Sequence, residues 1–539
     1  MTLMNGSRPS WEVLAAQKQK ELFSSIPAEW RVPGDLLPPA SQDDVTDWPE
    51  TSGWLTAQEV SITSLDATTL VGQLTAGKLK SVDVVRAFCK RACAAHQLVN
   101  CLSETLFERA LAAAEARDEY LAKTGQPVGP LHGLPISLKD NFNLKGRDST
   151  VGIASHIGDP SRIDSTLPQL LEAAGAIVYV KTNVPTAMMI AESVNNVFGR
   201  TLNPRNRRTT SGGSSGGESA LLVLKGSPLG VGSDIGGSLR IPAACSGIFT
   251  IRPSFGRFPG RDCRSGMPGQ EAVQSVNGPL ARTLSDVIIY SQVVINSQPW
   301  LRDPKCLPIP WRKEELPEKL KIGVMWNDSM VIPTPPVARA LEEVVTKLRK
   351  AGHDVVDWDP KDQPEGTQLL GRMFLADGGK TIRHELQRTG EPWRDEMLDY
   401  SAAQELGTSE MWKLHLERTA FQNKYLDRWN AAGLDAILCP TTPYSTTKNG
   451  SFRHVGYTGV FNVLDYSAVS FPTGLTVDKA KDTVPPGYTP LSDDCRAIHE
   501  TYDPELVHGH PISLQLVARR LEEEKVLAMT ETILQLLKL

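Results

Sequence analysis

Two serines and one lysine stand where glycine-rich turns and an apolar strand could bring them together. Ser214 and Ser238 are both flanked by glycines, in a segment (212–260) that holds 12 glycines in 49 residues. Lys139 follows the apolar stretch 134–136, which favours a buried strand. Glycine lets a backbone turn sharply and lets its N–H groups converge on one point. Hydroxyls held beside an amine in such a setting could form a nucleophile and its base.

A lysine acts as a base only when its amine is neutral. Its pKa must then fall from about 10.4 to about 7, a cost of roughly 4 kcal/mol that burial can supply. The loop that leads into Ser238 would add backbone N–H donors for a developing oxyanion, from Ile235, Gly236, Gly237 and Ser238. Spacing alone does not distinguish this arrangement from ordinary solvated side chains.

Other interpretations of the glycines fit less well. A P-loop needs a glycine five residues before the glycine of Gly379-Lys380-Thr381, and Phe374 stands there. The dinucleotide fingerprint fails because Ile235 replaces its third glycine. The stretch 213–217 matches the G-x-S-x-G nucleophile elbow, but the elbow needs a buried strand directly before it. The polar segment 203–210 precedes it instead, which disfavours that fold.

Both stretches closely resemble the amidase signature family. GPLHGLPISLKDNF (129–142) looks like the lysine motif of that family. The segment 211–254, which begins SGGSSGGESALLVLKG, resembles its long Gly/Ser-rich signature almost throughout. Flanking segments such as 10–30 and 508–528 look like those of fungal acetamidases, so the resemblance covers nearly the whole chain.

The resemblance implies a mechanism for the three residues. Ser238 would attack an amide carbonyl, and Ser214, on a cis peptide, would relay its proton to neutral Lys139. The N–H groups of 235–238 would hold the oxyanion, and water would hydrolyse the acyl-enzyme. Neither a metal nor a cofactor is expected. The partner is a small-molecule amide, with a homodimer as a further expectation.

Neighbouring residues receive weaker expectations. Those expected to support the site or to line the acyl pocket are Ser215, Asp234, Arg240, Met188 and Met189. Asp234 and Arg240 could equally form an ordinary salt bridge, and the methionines could simply pack in the core. Ser219 and Thr250 stand where the family usually has glycine, at positions outside the triad. The helical stretch 369–429 carries no motif.

The elements around these motifs predict an α/β protein. Three helix-like segments end on glycine and run at once into a short apolar strand, at 164–181, 335–358 and 424–439. Such units predict a largely parallel sheet with helices on its faces, in one large α/β body. The family resemblance implies a single large α/β/α domain around a mixed sheet. The expected organisation is an N-terminal helix and extended arm packed on the body (1–60), then the signature domain (61–539) with its core at about 129–260.

Composition narrows the class of protein. The 539 residues carry 57 Lys and Arg against 62 Asp and Glu, a formal charge of −5, which argues against nucleic acid as an obligatory partner. The N-terminus lacks a secretory pattern and no run of about 18 apolar residues occurs, so no membrane span and a cytoplasmic location are expected. The eight scattered cysteines fit buried free thiols.

The function expected from the sequence is hydrolysis of a carboxamide C–N bond, with short acetamide-like amides favoured. One alternative is a family member that acts on larger amides, such as fatty-acid, aryl or secondary-metabolite amides. The other is a glutamine-dependent amidotransferase subunit, which the acetamidase-like flanks disfavour.

Overall fold

A computed structural model describes residues 9–539 and is built on an eleven-stranded sheet. The strands, in chain order, are β1 (Leu102–Thr105), β2 (Pro135–Lys139), β3 (Ile177–Thr182), β4 (Val194–Asn195), β5 (Gly199–Arg200), β6 (Leu202–Asn203), β7 (Asn206–Thr210), β8 (Leu229–Asp234), β9 (Phe249–Arg252), β10 (Val276–Ala281), β11 (Lys321–Val324), β12 (Asp354–Asp357), β13 (Ala436–Pro440), β14 (Ala468–Thr476) and β15 (Pro511–Val517). Two small sheets, β4–β5 and β6–β7, lie outside the large one.

Helices surround this sheet. They are α1 (Trp11–Ser24), α2 (Trp48–Thr51), α3 (Ala57–Ser64), α4 (Ala67–Thr75), α5 (Ser81–Val99), α6 (Phe107–Thr124), α7 (Thr166–Ala173), α8 (Gly216–Val223), α9 (Arg240–Ser246), α10 (Leu284–Asn296), α11 (Pro335–Lys350), α12 (Gln363–Phe374), α13 (Lys380–Gln387), α14 (Leu398–Ala402), α15 (Thr408–Ala432), α16 (Gly456–Leu464), α17 (Asp493–Glu500) and α18 (Glu523–Leu537). Short 3₁₀ turns occupy Ala28–Trp30, Ala154–His156, Thr186–Met188, Pro299–Leu301 and Asp395–Met397.

The strand order is β1-β3-β2-β8-β10-β9-β14-β15-β13-β11-β12. The mixed sheet in a single domain is therefore confirmed, but the expectation that it is largely parallel is wrong. Only the pairs β2–β3, β2–β8, β11–β12 and β11–β13 are parallel. The other six neighbouring pairs are antiparallel.

The helix–strand units that can be recognised in the sequence lie towards the two ends of the sheet. Each unit supplies a strand near one end of the sheet, namely β3, β12 and β13, and each of these makes a parallel pair. The centre is built differently, because β9 and β10 follow one another without an intervening helix and pair antiparallel. Antiparallel strands need no helical crossover, so the centre carries no such signal in the sequence.

The N-terminal region lies against the body through α1. Leu14 and Leu22 of this helix pack in an apolar cluster with residues of the body such as Phe198. Lys18, almost fully buried, forms ion pairs with Glu104 and with Asp148, the latter at 2.9 Å. Residues 1–8 of the predicted arm lie outside the described residues. The division at residue 60 stays a prediction.

All eight cysteines are free, and only Cys263 among them is partly exposed. Within residues 9–539 no helix combines the length and the apolar character that crossing a bilayer requires. The same residues contain no group of three or more His, Cys, Asp or Glu side chains that could hold a metal ion.

Candidate active site

Lys139 ends a central strand and is completely buried. It is the last residue of β2, which lies between β3 and β8. Its Nζ donates to Ser214 Oγ at 2.7 Å and to Ser233 Oγ at 2.9 Å, and it contacts the Ser233 carbonyl oxygen at 3.3 Å. The predicted lysine and the first predicted serine are therefore in direct contact.

Ser214 is placed by a turn that packs tightly between β7 and α8. The Gly213–Ser214 peptide is cis, as the resemblance implies. Gly213 has no room for a side chain, because a Cβ there would lie 2.6 Å from the backbone nitrogen of Glu192. Close backbone packing of this kind fixes the direction in which the Ser214 hydroxyl points.

Ser238 lies in the loop between β8 and α9, and Asp234 organises this loop. The Asp234 carboxylate accepts the N–H of Gly237 at 2.8 Å and that of Leu239 at 3.1 Å. Gly237 has φ +133°, and a Cβ there would lie 2.3 Å from Thr458 Oγ1, so only glycine fits. The loop is thus wrapped around one buried carboxylate, with Ser238 at its partly exposed edge.

One of the four predicted oxyanion donors already has a hydrogen-bond partner in the structure. The Gly237 N–H donates to Asp234, so it is already used within the loop. The N–H groups of Ile235, Gly236 and Ser238 make no hydrogen bond within residues 9–539, and all three residues are partly exposed. Three of the four predicted donors are therefore free to face a ligand.

Ser215 connects the two serine loops. Its N–H donates to the Ser238 carbonyl oxygen at 3.2 Å, and its hydroxyl donates to the Ser233 carbonyl oxygen at 3.4 Å. The Ser238 hydroxyl itself has no hydrogen-bond partner in the described part of the chain. Ser215 therefore joins the two serine loops by hydrogen bonds, and it does not use the Ser238 hydroxyl to do so.

Asp234 and Arg240 form a buried, bidentate ion pair. Arg240 Nε lies 3.1 Å from Asp234 Oδ2, and Arg240 Nη2 donates to Asp234 Oδ1, also at 3.1 Å. Burial alone would raise the pKa of Asp234, but the charge and hydrogen bonds of Arg240 hold it well below its usual range. Asn462 of α16 donates to the same carboxylate at 2.8 Å. Asp234 and Arg240 therefore form a structural salt bridge, which holds the conformation of the loop that carries Ser238.

The electrostatics of Lys139 match the requirement for a base. Burial lowers the pKa of Lys139 from 10.5 to about 7, although the carboxyl groups of Asp234 and Glu218 act to raise it. Among residues 9–539 no carboxylate forms an ion pair with the Lys139 amine, whose hydrogen-bond partners are the hydroxyls of Ser214 and Ser233 and one carbonyl group. An amine in such surroundings can exist in its neutral form near neutral pH.

Met188 and Met189 are partly buried and pack against a buried apolar cluster that reaches the Ser238 loop through Phe374. All three pack in this cluster with buried residues such as Ile190 and Met267. The ring of Phe374 would lie 3.4 Å from a Cβ placed on Gly236. Phe374 therefore forms a wall beside one of the free N–H donors.

Two cavities meet this apolar region. The first, of about 470 Å³, is lined by residues that include Met267, Met373, Phe374, Leu406, Met411 and Trp412. The second, of about 600 Å³, is lined by Met188 together with Asn141, Cys263 and others. Both are large compared with a short amide.

Sequence reasoning missed two residues of this site. Ser233 directly precedes Asp234, and the alternation of side chains along β8 would have placed its hydroxyl on one face of the strand. Phe374 offered no such signal, because it ends α12 in the stretch that carries no motif.

The two departures from the family pattern are accommodated by local hydrogen bonds. The Ser219 hydroxyl donates to the carbonyl oxygens of Ser211 at 3.0 Å and Gly216 at 3.1 Å. The Thr250 hydroxyl donates to the Pro279 carbonyl oxygen at 2.6 Å. Neither hydroxyl contacts Lys139, Ser214 or Ser238.

Comparisons with known proteins agree on one family. A family model described as Amidase matches residues 83–527. The chain is 41% identical to an acetamidase of Emericella nidulans, with 98% of both chains covered. It is 42% identical to an acetamidase of Aspergillus oryzae, covering 98% of this chain and 99% of that one. A solved fatty acid amide hydrolase superposes with TM-score 0.94 and 34% identity, over 98% of this chain and 95% of the other.

Proposed function

Since this chain belongs to the amidase family and is an amide-hydrolysing enzyme, we propose that it cleaves short-chain carboxamides of the acetamide type. The products would be a carboxylate and ammonia or an amine. The observation that carries the proposed chemistry is the buried contact of 2.7 Å between Lys139 Nζ and Ser214 Oγ. The proposal for short acyl groups is supported by the names of the two acetamidase relatives.

In the proposed acylation step, Ser238 Oγ forms a bond to the amide carbonyl carbon. Its proton passes to Ser214 Oγ while the proton of Ser214 passes to Lys139 Nζ, so one O–H bond is lost and one N–H bond is gained. The carbonyl oxygen becomes an oxyanion, which the N–H groups of Ile235, Gly236 and Ser238 stabilise.

Collapse of the oxyanion breaks the C–N bond. The proton held by Lys139 returns through Ser214 to the departing nitrogen, which leaves as ammonia or an amine. Water then attacks the acyl-enzyme with the same relay as its base, and the carboxylate is released. Ser233 assists by accepting a hydrogen bond from Lys139, which keeps the amine directed at Ser214.

The proposed substrate range is tested with one series of amides on the purified enzyme. The series runs from acetamide and propionamide through hexanamide to oleamide, with acetanilide and glutamine as separate classes. We expect the highest kcat/KM for the short aliphatic amides, with ammonia release as the readout. Absence of turnover on short amides would contradict the proposal, and turnover of glutamine alone would favour the amidotransferase alternative.

A specific observation keeps larger amides as the second candidate. Phe374 stands between Gly236 and the cavity of about 470 Å³. The matched variant for the series is therefore Phe374→Ala, which should join this cavity to the site and raise the hexanamide-to-acetamide ratio of kcat/KM about tenfold. If the wild-type enzyme already prefers oleamide, the second candidate replaces the first.

The pH dependence of the reaction follows from the Lys139 pKa. Below about 7 the amine carries a proton and cannot accept one from Ser214, so kcat/KM should fall as the pH decreases through that value. Amide substrates do not titrate in this range, so the acid limb reports the free enzyme. Initial rates between about pH 5 and pH 9 test this, and a flat profile would contradict the role of Lys139.

A further inference from the structure

Glu218 is a fully buried carboxyl group that the proposed mechanism does not use. It lies in the first turn of α8, four residues after Ser214. Its Oε2 is 2.5 Å from Ser137 Oγ on β2, and its Oε1 accepts from Thr182 Oγ1 of β3 at 2.8 Å. Ser137 and Lys139 are two residues apart on one strand, so their side chains lie on the same face. Glu218 thus connects α8, the helix that follows Ser214, to β2, the strand that ends at Lys139.

Ser137 Oγ contacts both Glu218 and Ser227 but has only one hydrogen atom to donate. Ser227 Oγ donates its one hydrogen to the Leu229 carbonyl oxygen at 2.9 Å, and a carbonyl can only accept. Ser227 must therefore accept in its contact with Ser137 Oγ at 3.0 Å, which uses the one hydrogen of Ser137. The contact of 2.5 Å between Ser137 Oγ and Glu218 Oε2 then lacks a hydrogen unless Glu218 supplies it.

This count assigns a directed chain that starts at the carboxyl group. With a neutral acid, Glu218 Oε2–H would donate to Ser137 across the contact of 2.5 Å, Ser137 would donate to Ser227, and Ser227 would donate to a carbonyl. The other oxygen of Glu218 accepts from Thr182, as the carbonyl oxygen of a carboxylic acid would. A protonated Glu218 satisfies the three contacts that run from Glu218 through Ser137 and Ser227 to the Leu229 carbonyl oxygen, whereas a carboxylate would leave one of these three without a hydrogen.

We propose that Glu218 is a positioning residue which, as a neutral carboxylic acid, holds the strand of Lys139 against α8, the helix that follows Ser214, and adds no negative charge beside the Lys139 amine. A negative charge on Glu218 would add to that of Asp234 in stabilising the protonated amine, and would so raise the pH at which Lys139 becomes neutral. The inference rests on the proposed role of Lys139, because Glu218 acts only through that residue.

The surroundings agree with a neutral carboxyl group. Burial raises the pKa of Glu218 to about 8, against the hydroxyl hydrogen bonds and the charge of Lys139, which lower it. The other titratable groups that face Glu218 are Cys101 and Tyr179, and burial raises the pKa of both, so neither is charged at neutral pH. Arg240, on the neighbouring α9, is paired with Asp234 and does not compensate a charge at Glu218.

The protonation state is read directly by infrared spectroscopy. At neutral pH the difference spectrum between the wild-type enzyme and Glu218→Gln should contain the carbonyl stretch of one protonated carboxyl group, on the wild-type side only. Subtracting one spectrum from the other removes the bands of the other buried acids, which are the same in both proteins. Absence of this band would overturn the inference, and because the measurement needs no turnover, its result is separate from that of the proposed function.

Kinetics give the second readout. The amide of E218Q can donate to Ser137 and accept from Thr182, so it should lose only about threefold in kcat/KM, whereas Glu218→Met, of similar length, should lose about thirtyfold. The acid limb of E218Q should stay within about 0.3 pH unit of wild type, since no charge has been removed. A downward shift of the acid limb by about one unit in E218Q would show that the wild-type group is a carboxylate and would overturn the inference.

Discussion

Replacing Ser238 by alanine should lower kcat/KM for acetamide by a factor of about 10⁴ or more. The Ser238 hydroxyl is partly exposed, has no hydrogen-bond partner within residues 9–539, and lies beside free backbone N–H donors. Without it no acyl-enzyme can form, so the relay through Ser214 and Lys139 has no proton to transfer. Because the side chain makes no hydrogen bond, S238A should unfold at nearly the same temperature as the wild type.

Covalent labelling identifies the nucleophile without relying on turnover. A fluorophosphonate should modify the wild-type enzyme at Ser238, located by mass spectrometry of the labelled peptide, and should not modify S238A. The matched control is Ser246→Ala at the end of α9, where the buried hydroxyl has no hydrogen-bond partner in the described part of the chain. S246A should be labelled and active like the wild type. Labelling that survives unchanged in S238A would assign the nucleophile to another residue.

Lys139→Met should reduce kcat/KM at neutral pH by a factor of about 10³. Methionine fills a similar volume on β2, so the loss measures the missing amine more than a cavity. The variant should also lose the acid limb near pH 7, because burial places the pKa of Lys139 there and no other group in the relay titrates in that range.

A second buried lysine provides the control. Lys181 lies on β3 beside β2, and its Nζ donates to the Asp148 carbonyl oxygen at 2.6 Å and to Ser149 Oγ at 2.8 Å. Lys181→Met removes an equally buried amine that does not contact Ser214. It should lower thermal stability while the folded enzyme keeps turnover within about tenfold of wild type. Near-normal turnover and an unchanged acid limb in K139M would refute the base role.

Parts of the candidate site could be predicted from the sequence where a short segment alone determines the backbone conformation. The turn at Gly213 and the loop at Gly237 both need glycine for close packing, and these glycines form part of the cluster that marks the segment. The apolar strand predicted that Lys139 is buried, and burial is the physical cause of its lowered pKa, but its role as the base was implied by the family resemblance. Ser214 and Ser238 were candidates because they lie in these two loops, and the family resemblance then implied their roles.

What could not be predicted depends on contacts between distant parts of the chain. Phe374 reaches Gly236 from a helix more than a hundred residues later, and no local pattern encodes that approach. No local pattern encodes the approach of Asn462 either, whose side-chain amide donates a hydrogen bond to the Asp234 carboxylate. The antiparallel centre of the sheet was missed for a related reason, since its strands are joined without the helix–strand units that reveal parallel pairing.

The contacts that hold the Ser238 loop come from segments that are synthesised much later than the loop itself. Arg240 donates to the Thr458 carbonyl oxygen at 3.0 Å, to Asn462 Oδ1 at 2.6 Å and to Gln515 Oε1 at 3.3 Å. During synthesis, the loop leaves the ribosome well before α16 and β15 exist to hold it. The nascent chain therefore carries its reactive serine in an unassembled state until nearly all of the polypeptide has emerged, and competence for the reaction arrives with the last strand of the sheet.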